Sequence, residues 1–474
     1  MNLTIGEIVA ACGGRLVLSV DGASDICVTS VVVDSRKVTE GAVFIATLGE
    51  RVDGHSFVAS AFAQGAVLAV VSKTPDRLSE ETGETVSGWG SYVVVEDTLQ
   101  ALKDIAEYYR EKLDVKVVGI TGSAGKTSTK EFIAGVLAEK YSVLKTEGNF
   151  NNEIGVPLTL LRIQQSHQIA VVEMGISDFG EMHRLSKMAK PDICVITNIG
   201  QSHLDNLKSR DGILKAKSEI FDFMAENGEV CFNGEDDKLA AISEIKGHKP
   251  HFFGLGGSSG QEAYATDVVG RGLWGSDATI RMGDEAFEVH VPLPGIHMVL
   301  NAAAAACVAG VLGLTSKQIA AGIEKITPVS GRNNLIRLEK YTLIDDCYNA
   351  NPASMRAALD LLAMADTEKV AILGDMFGLG EENNAKLHEQ VGVYAAQKGI
   401  DRIYCVGERS GAMYQAVCDN AEETRQVAHF PTLEALLTAL EHEREEYVPD
   451  GCTVLIKASH AMEFGKVLDA LINL

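Results

Sequence analysis

The chain has 474 residues, a formal net charge of −23, and is 46% hydrophobic and 23% charged. This is the composition of a folded globular protein, and the length calls for two to four domains. The acidic balance excludes a general nucleic-acid binder, which needs a basic surface, but leaves room for an anionic small substrate held by local Arg, Lys and N–H groups.

The first ten residues carry Glu7 and lack a basic segment followed by an apolar run, so no signal peptide is expected. The nine cysteines are dispersed without a C-x-x-C pair and read as reduced thiols of a cytoplasmic protein. Residues 1–112 read as a small α/β unit. Ile26–Val33, Ala42–Thr47, Val67–Ser72 and Tyr92–Val95 are strand candidates. Residues 79–91 read as a surface loop, and Asp97 as the cap of a helix to Lys112 with Leu99, Leu102, Ile105 and Ala106 on one face.

A second unit spans 113–326. Val115–Ile120, Ala170–Glu173 and Ile193–Thr197 are buried-type strands, and their alternation with helices predicts a mainly parallel sheet with sites at the strand C-termini. Val289–Ser316 contains no Asp, Glu, Lys or Arg, but its alanines, Pro292, Pro294 and Asn301 fit a helix buried on a sheet rather than a membrane span. The third unit, 327–474, has strand candidates at Leu343–Asp345, Lys369–Leu373, Arg402–Val406 and Cys452–Ile456, with a helix over Ser354–Met364. It reads as a Rossmann-like open α/β sheet. The fold class is therefore α/β in three domains, with links near 112 and 326 expected to hinge.

Between the first strand of the second unit and its helix lies Thr121-Gly122-Ser123-Ala124-Gly125-Lys126-Thr127-Ser128. A strict P-loop needs glycine where Ile120 stands, so that pattern fails. The physics remains. Glycines let N–H groups turn toward an anion, the helix start adds partial positive charge, Lys126 can reach β/γ-phosphates, and the Thr127 hydroxyl suits Mg²⁺.

The shortened loop resembles that of the Mur ligases and the related folylpolyglutamate synthetases. Three more segments resemble the same family in order: Gly148-Asn149-Phe150-Asn151-Asn152-Glu153-Ile154-Gly155-Val156-Pro157, Glu173-Met174-Gly175, and Asn198-Ile199-Gly200-Gln201-Ser202-His203-Leu204. The resemblance implies an ATP-dependent amide-bond ligase working through an acyl phosphate, with positioning and charge stabilisation as its main tasks. It implies ATP contacts at Gly122, Ser123, Ala124, Gly125, Lys126, Thr127, Ser128, Asn301, Arg332 and Asp346. It implies Mg²⁺ ligation by Thr127, Glu173, His203 and a carbamylated Lys217, with Lys126, Lys217 and His203 as catalytic residues.

Plainer readings stand beside these. Glu173 could cap a helix, His203 could be structural, and Lys217 could lay its stem on the apolar face of Ile213, Leu214, Ile220 and Phe221 with its head in water. His297 and Asn301 could be a polar pair at a helix start.

Asp345-Asp346-Cys347-Tyr348-Asn349-Ala350-Asn351-Pro352 resembles the family's D-D-x-Y-N-A-N-P, whose second Asp meets the ribose. Lys457-Ala458-Ser459-His460 departs from a K-G-S-R segment, and Gly378 stands where a glutamate is common. In the first unit, Asp34-Ser35-Arg36 and Gly49-Glu50-Arg51-Val52-Asp53-Gly54-His55 resemble the UDP-sugar domain of late-acting members, although Asp34 and Arg36 could simply form a turn salt bridge. The implied substrates are UDP-N-acetylmuramoyl-tripeptide and D-alanyl-D-alanine, with no nucleic acid, no membrane insertion and a monomeric state expected. Substrate contacts fall on Ser35, Arg36, Arg51, Asp53, His55, Asn149, Asn151, Asn152, Tyr348, Asn349 and Lys457. The alternatives are the sister ligase adding the third amino acid, whose diamino-acid motif is not found, and a P-loop NTPase acting as a binding module.

Overall fold

The computed structural model describes the chain except residues 20–22, 50–51, 84, 258–259, 329–330, 332–333, 421–424 and 474, and the side chain of residue 381. Arg51 and Arg332 therefore lie outside the described residues.

Each sequence unit builds its own sheet. In the first, Arg15–Val17, Tyr92–Val94, Leu68–Val71, Ala42–Ile45 and Ser30–Val32 lie in that order, parallel except for the Arg15–Val17 edge. The strand expected over Ile26–Val33 is two pieces: Cys27–Val28 leaves to pair with Leu3–Thr4. The expected loop 79–91 also needs correction, because its first residues finish a helix, Pro75–Thr82. Thr74 caps that helix, Pro75 opens it, and Gly83 closes it at φ 74°.

The central sheet has nine strands, in the order Glu285–Val291, Ser276–Met282, Gln261–Gly270, His251–Leu255, Glu229–Asn233, Ile193–Ile196, Lys116–Thr121, Ile169–Glu173, Val143–Lys145. It is parallel from Gln261–Gly270 onward, and the first three strands form an antiparallel extension. The alanine-rich segment is the helix Ile296–Val311, buried along most of its length against this sheet and the helix Lys126–Leu137. Small side chains permit that close approach. Among the described residues no helix is long and apolar enough to cross a membrane.

The third sheet runs Asn334–Arg337, Thr342–Asp345, Thr453–Lys457, Lys369–Gly374, Arg402–Val406, Gln426–Phe430, with the first strand antiparallel. The helix Pro352–Ala363 begins in a capping box between Asn351 and Ser354 with Pro352 in its first turn.

The junction near 112 is packed on both sides. Asp97 caps Thr98–Glu111, whose Leu102, Ile105, Ala106 and Tyr109 enter one hydrophobic core continuous with the central sheet. Tyr109 donates to Ile163 O at 2.6 Å, and the buried Arg110 donates to Ala189 O at 2.9 Å. Leu99, placed by its spacing on the core face, is half-buried and lines the cleft described below. The third unit instead has cores of its own. Its contacts with the centre include the tip Gly272–Trp274, where the Arg337 guanidinium lies 3.6 Å above the Trp274 ring.

Candidate active site

The strand Lys116–Thr121 ends in the loop, and the loop's shape follows from its glycines. Gly122 has φ 152°, and a Cβ there would sit 1.9 Å from Thr197 Oγ1. Gly125, at φ 78°, turns the chain into the helix Lys126–Leu137 and leaves that helix start without a side-chain cap. The neighbouring strand end is stapled to the loop. Ser123 N donates to Asn198 O, Ala124 N to Asn198 Oδ1, and Asn198 Nδ2 and Thr197 Oγ1 both donate to Ala124 O. The Asn198–Leu204 segment thus fixes the phosphate-type loop in place, a task for Asn198 that the sequence did not reveal.

Thr127 Oγ1 donates to Glu173 Oε2 at 2.8 Å, and Asn151 Nδ2 donates to Glu173 Oε1 at 2.8 Å. Glu173 is buried, and its own N–H is held by Thr146 Oγ1. It caps no helix; it is a buried carboxylate aimed at the loop. Asn152 does local work, accepting from Ile154 N and Gly155 N. Gly155 is required there because a Cβ would lie 2.3 Å from the Phe150 backbone. Asn149 is exposed and outside the cleft lining.

Lys217, on the helix Arg210–Ser218, is only 2% exposed, so its head does not reach water. Burial, then the nearby charge of Lys126, pushes its ammonium well below the usual lysine range. His203 sits at φ 62° at the start of a short helix and lines the cleft. Desolvation and the charges of Lys217 and Lys126 lower its pKa. Thr129 Oγ1 donates to Asn301 Oδ1 at 2.9 Å, tying the loop helix to the alanine-rich helix. His297, one turn before Asn301, is pushed down to about 4 by burial and by Lys457.

A proton on His297 is therefore taken up more readily by the unfolded chain. Its contribution to stability is complete above the ordinary imidazole pKa of 6.5 and fades as pH falls toward 4. Thermal unfolding followed from pH 7 to pH 4.5 should show a shallower acid decline in His297→Asn than in the wild type; parallel curves would refute this linkage.

The third sheet supplies the opposite wall. Lys457, ending its central strand and 2% exposed, donates to Asp346 Oδ2 and to Asn349 O. Asp345 turns inward and accepts from Gly331 N at 2.7 Å. The rings of Tyr348 and His460 meet at a tilt of 43°, 5.5 Å between centroids. Ser459, in the segment that departs from the family pattern, accepts from Phe377 N through its hydroxyl and donates to Ala350 O.

These two walls enclose one cleft of about 840 Å³. It is lined by Ser123–Thr129, Asn151, Asn152, Glu173, His203, His297 and Asn301 from the centre and by Asp346, Tyr348, Asn349 and Lys457 from the third unit. Leu99 and Lys103 reach it from the first unit, but Ser35, Arg36, Asp53 and His55 lie outside its lining. Arg36 and Asp34 form an exposed bidentate ion pair, the plainer reading of that turn, which holds the Asp34 carboxyl at about 2. His55 is buried with both ring nitrogens engaged: Nδ1 meets Asp53 at 2.6 Å and Nε2 accepts from Ser72 N at 2.9 Å. Asp53 also accepts from Lys73. His55 and Asp53 therefore brace the loop ahead of the helix Val58–Ala63. Ser35 opens a short turn whose Lys37 lies 5.6 Å over the Phe150 ring, a contact with the central unit that sequence reading missed.

Family models match the whole of this frame: "Mur ligase family, catalytic domain" over residues 28–110, "Mur ligase middle domain" over 120–309, and "Mur ligase, glutamate ligase domain" over 331–460. A UDP-N-acetylmuramoyl-tripeptide–D-alanyl-D-alanine ligase of Bacillus subtilis is 34% identical over 94% of this chain and 93% of its own length. The chain belongs to the Mur ligase family. Membership makes it an ATP-dependent amide-bond ligase. Among solved structures, MurF from Acinetobacter baumannii superposes with a TM-score of 0.87 at 32% identity, covering 100% of this chain and 99% of that one. A MurF ligase from Thermotoga maritima, solved in complex with ADP, gives 0.77 at 28% identity over 94% of this chain and 97% of its own.

Proposed function

We propose that this Mur ligase joins the free carboxylate of UDP-N-acetylmuramoyl-tripeptide to the amino group of D-alanyl-D-alanine in cytoplasmic peptidoglycan precursor synthesis, releasing ADP and phosphate. The observation that carries the reading is the single cleft. It sets the uncapped helix start and Lys126 opposite Asp346 and Lys457, in a chain that matches the Bacillus subtilis ligase over 94% of its length. The division of labour follows the sheets: residues 1–112 take the sugar nucleotide, 113–326 hold the ATP phosphates, and 327–474 hold the nucleoside and the incoming dipeptide.

The helix-start N–H groups and Lys126 receive the phosphates, and Asn301 positions the loop helix through Thr129. Asp346 would take the ribose hydroxyls, and Tyr348 and Asn349, which line the same cleft, the dipeptide. The tripeptide carboxylate attacks the γ-phosphorus and ADP leaves, forming an acyl phosphate; the neutral amine of the dipeptide then attacks the acyl carbon, loses a proton to solvent, and phosphate leaves.

The residues around Glu173 fit Mg²⁺. Thr127 and Glu173 offer hard oxygen donors already hydrogen-bonded to each other, His203 lines the same cleft, and Lys217 is buried close enough to feel the charge of Lys126. Among the described residues no cluster of three His, Cys, Asp or Glu side chains forms a ready cage, so substrate phosphates would complete the coordination. When bound, Mg²⁺ neutralises charge on the transferring phosphoryl group.

Lys217 fits carbamylation. Burial disfavours its ammonium, which favours the neutral amine that reacts with CO₂, and a carbamate would supply the oxygen donors that the lysine itself lacks. Protein equilibrated with ¹³C-bicarbonate should show one carbamate carbon resonance that Lys217→Met lacks; its absence from the wild type would remove Lys217 from the metal set.

Phosphate release from ATP should require UDP-muramoyl tripeptide and D-alanyl-D-alanine together. Release independent of both would overturn the reading.

A further inference from the structure

Lys130 has no part in the reading so far. It follows Thr127 by three positions on the helix Lys126–Leu137, and so shares its face. It is 1% exposed and lies outside the cleft lining, so it cannot meet a nucleotide phosphate directly. Its Nζ donates to Thr146 O at 2.7 Å and faces Glu131 Oε1 at 3.0 Å and Glu173 Oε2 at 3.9 Å. Thr146 is the hinge of the arrangement, because its carbonyl takes Lys130 while its hydroxyl takes the Glu173 N–H. Glu131 is shared in turn with the exposed Lys145.

A buried cation this close to a buried carboxylate acts in two ways. It fixes the carboxylate's place behind the loop, and it offsets the charge that would otherwise draw in a free divalent cation. We infer that Lys130 is a positioning residue that holds Glu173 and competes with the divalent cation for it, so that the cation enters together with nucleotide phosphates rather than before them. The inference rests on the proposed metal role of Glu173.

The two variants should move metal affinity in opposite directions. Lys130→Met removes the competitor, and should tighten Mn²⁺ binding about tenfold when the full chain is titrated by electron paramagnetic resonance at saturating ADP. Glu131→Gln frees Lys130 to lean on Glu173 and should weaken it. Damage to the fold would weaken binding, so tightening is a signature that a merely structural lysine would not give. Equal or weaker binding in Lys130→Met overturns the inference. Should that variant fail to fold by circular dichroism, unchanged or tighter binding in Glu131→Gln overturns it instead. A wild-type chain that takes up no Mn²⁺ would remove Glu173 from the metal set and the inference with it, a result distinct from wild-type uptake that neither variant alters.

Discussion

Gly122→Ala should lower substrate-dependent phosphate release by about a hundredfold or more while the three sheets stay folded. The reason is local. The added methyl would stand 1.9 Å from Thr197 Oγ1, and Gly122 already occupies a φ of 152° that L side chains rarely adopt. Thr197 cannot retreat cheaply, because its hydroxyl holds Ala124 O and its N–H holds Thr121 O. The loop must therefore shift, carrying the Gly125 turn and the start of the Lys126 helix away from the phosphates. The loss should fall on kcat and on the KM for ATP together. Adding Thr197→Ala should recover part of the activity by removing the clash but not the backbone strain. Activity of the single variant within about threefold of wild type would mean that loop geometry is not what places the nucleotide.

Lys457→Met is expected to destabilise the third unit by about 3–5 kcal/mol, since it strips the ammonium from a buried carboxylate. Lys457 is 2% exposed, and Asp346 beside it 9%. The lysine also ties Asn349 O to the end of the central strand. Urea unfolding should show the loss, and pairing the change with Asp346→Asn should return most of the stability without returning the affinity for nucleotide. Should Lys457→Met unfold at the wild-type urea midpoint, the ion pair would be shown to break even against its desolvation. The segment that follows keeps its backbone bonds through Ser459 despite the alanine and histidine at 458 and 460. Those departures leave the strand end intact.

What could be read in the chain was what repeats locally. Apolar runs gave the parallel strands, Asp97 marked a helix start, and the charge-free alanine stretch announced a buried helix. The missed pieces lack such signals. Gln426–Phe430 is an edge strand whose residues are all half-buried, so its pattern does not alternate. The antiparallel strands from Gln261 to Val291 carry charged residues along one exposed side and look like loop. Of the residues lining the cleft, Thr127, Glu173 and His203 could be picked out through the family resemblance. Lys130 and Glu131 could not, because a Lys-Glu pair on a helix reads as a solvated surface until the fold buries the lysine. His55 erred the other way: its motif suggested a ligand contact, while its neighbours take both nitrogens.

The helix Thr98–Glu111 belongs by sequence to the first unit and by packing to both the first and the second. Its apolar face was therefore shaped by two partners at once. Exchange of modules between ligases meets unequal obstacles as a result. A foreign third unit has to match surface contacts, among them the tip Gly272–Trp274 and the rim of the cleft. A foreign first unit would have to bring side chains that fit Ile163, Ala189 and the interior beneath them. Chimeras cut near 326 should yield soluble protein far more often than chimeras cut near 112.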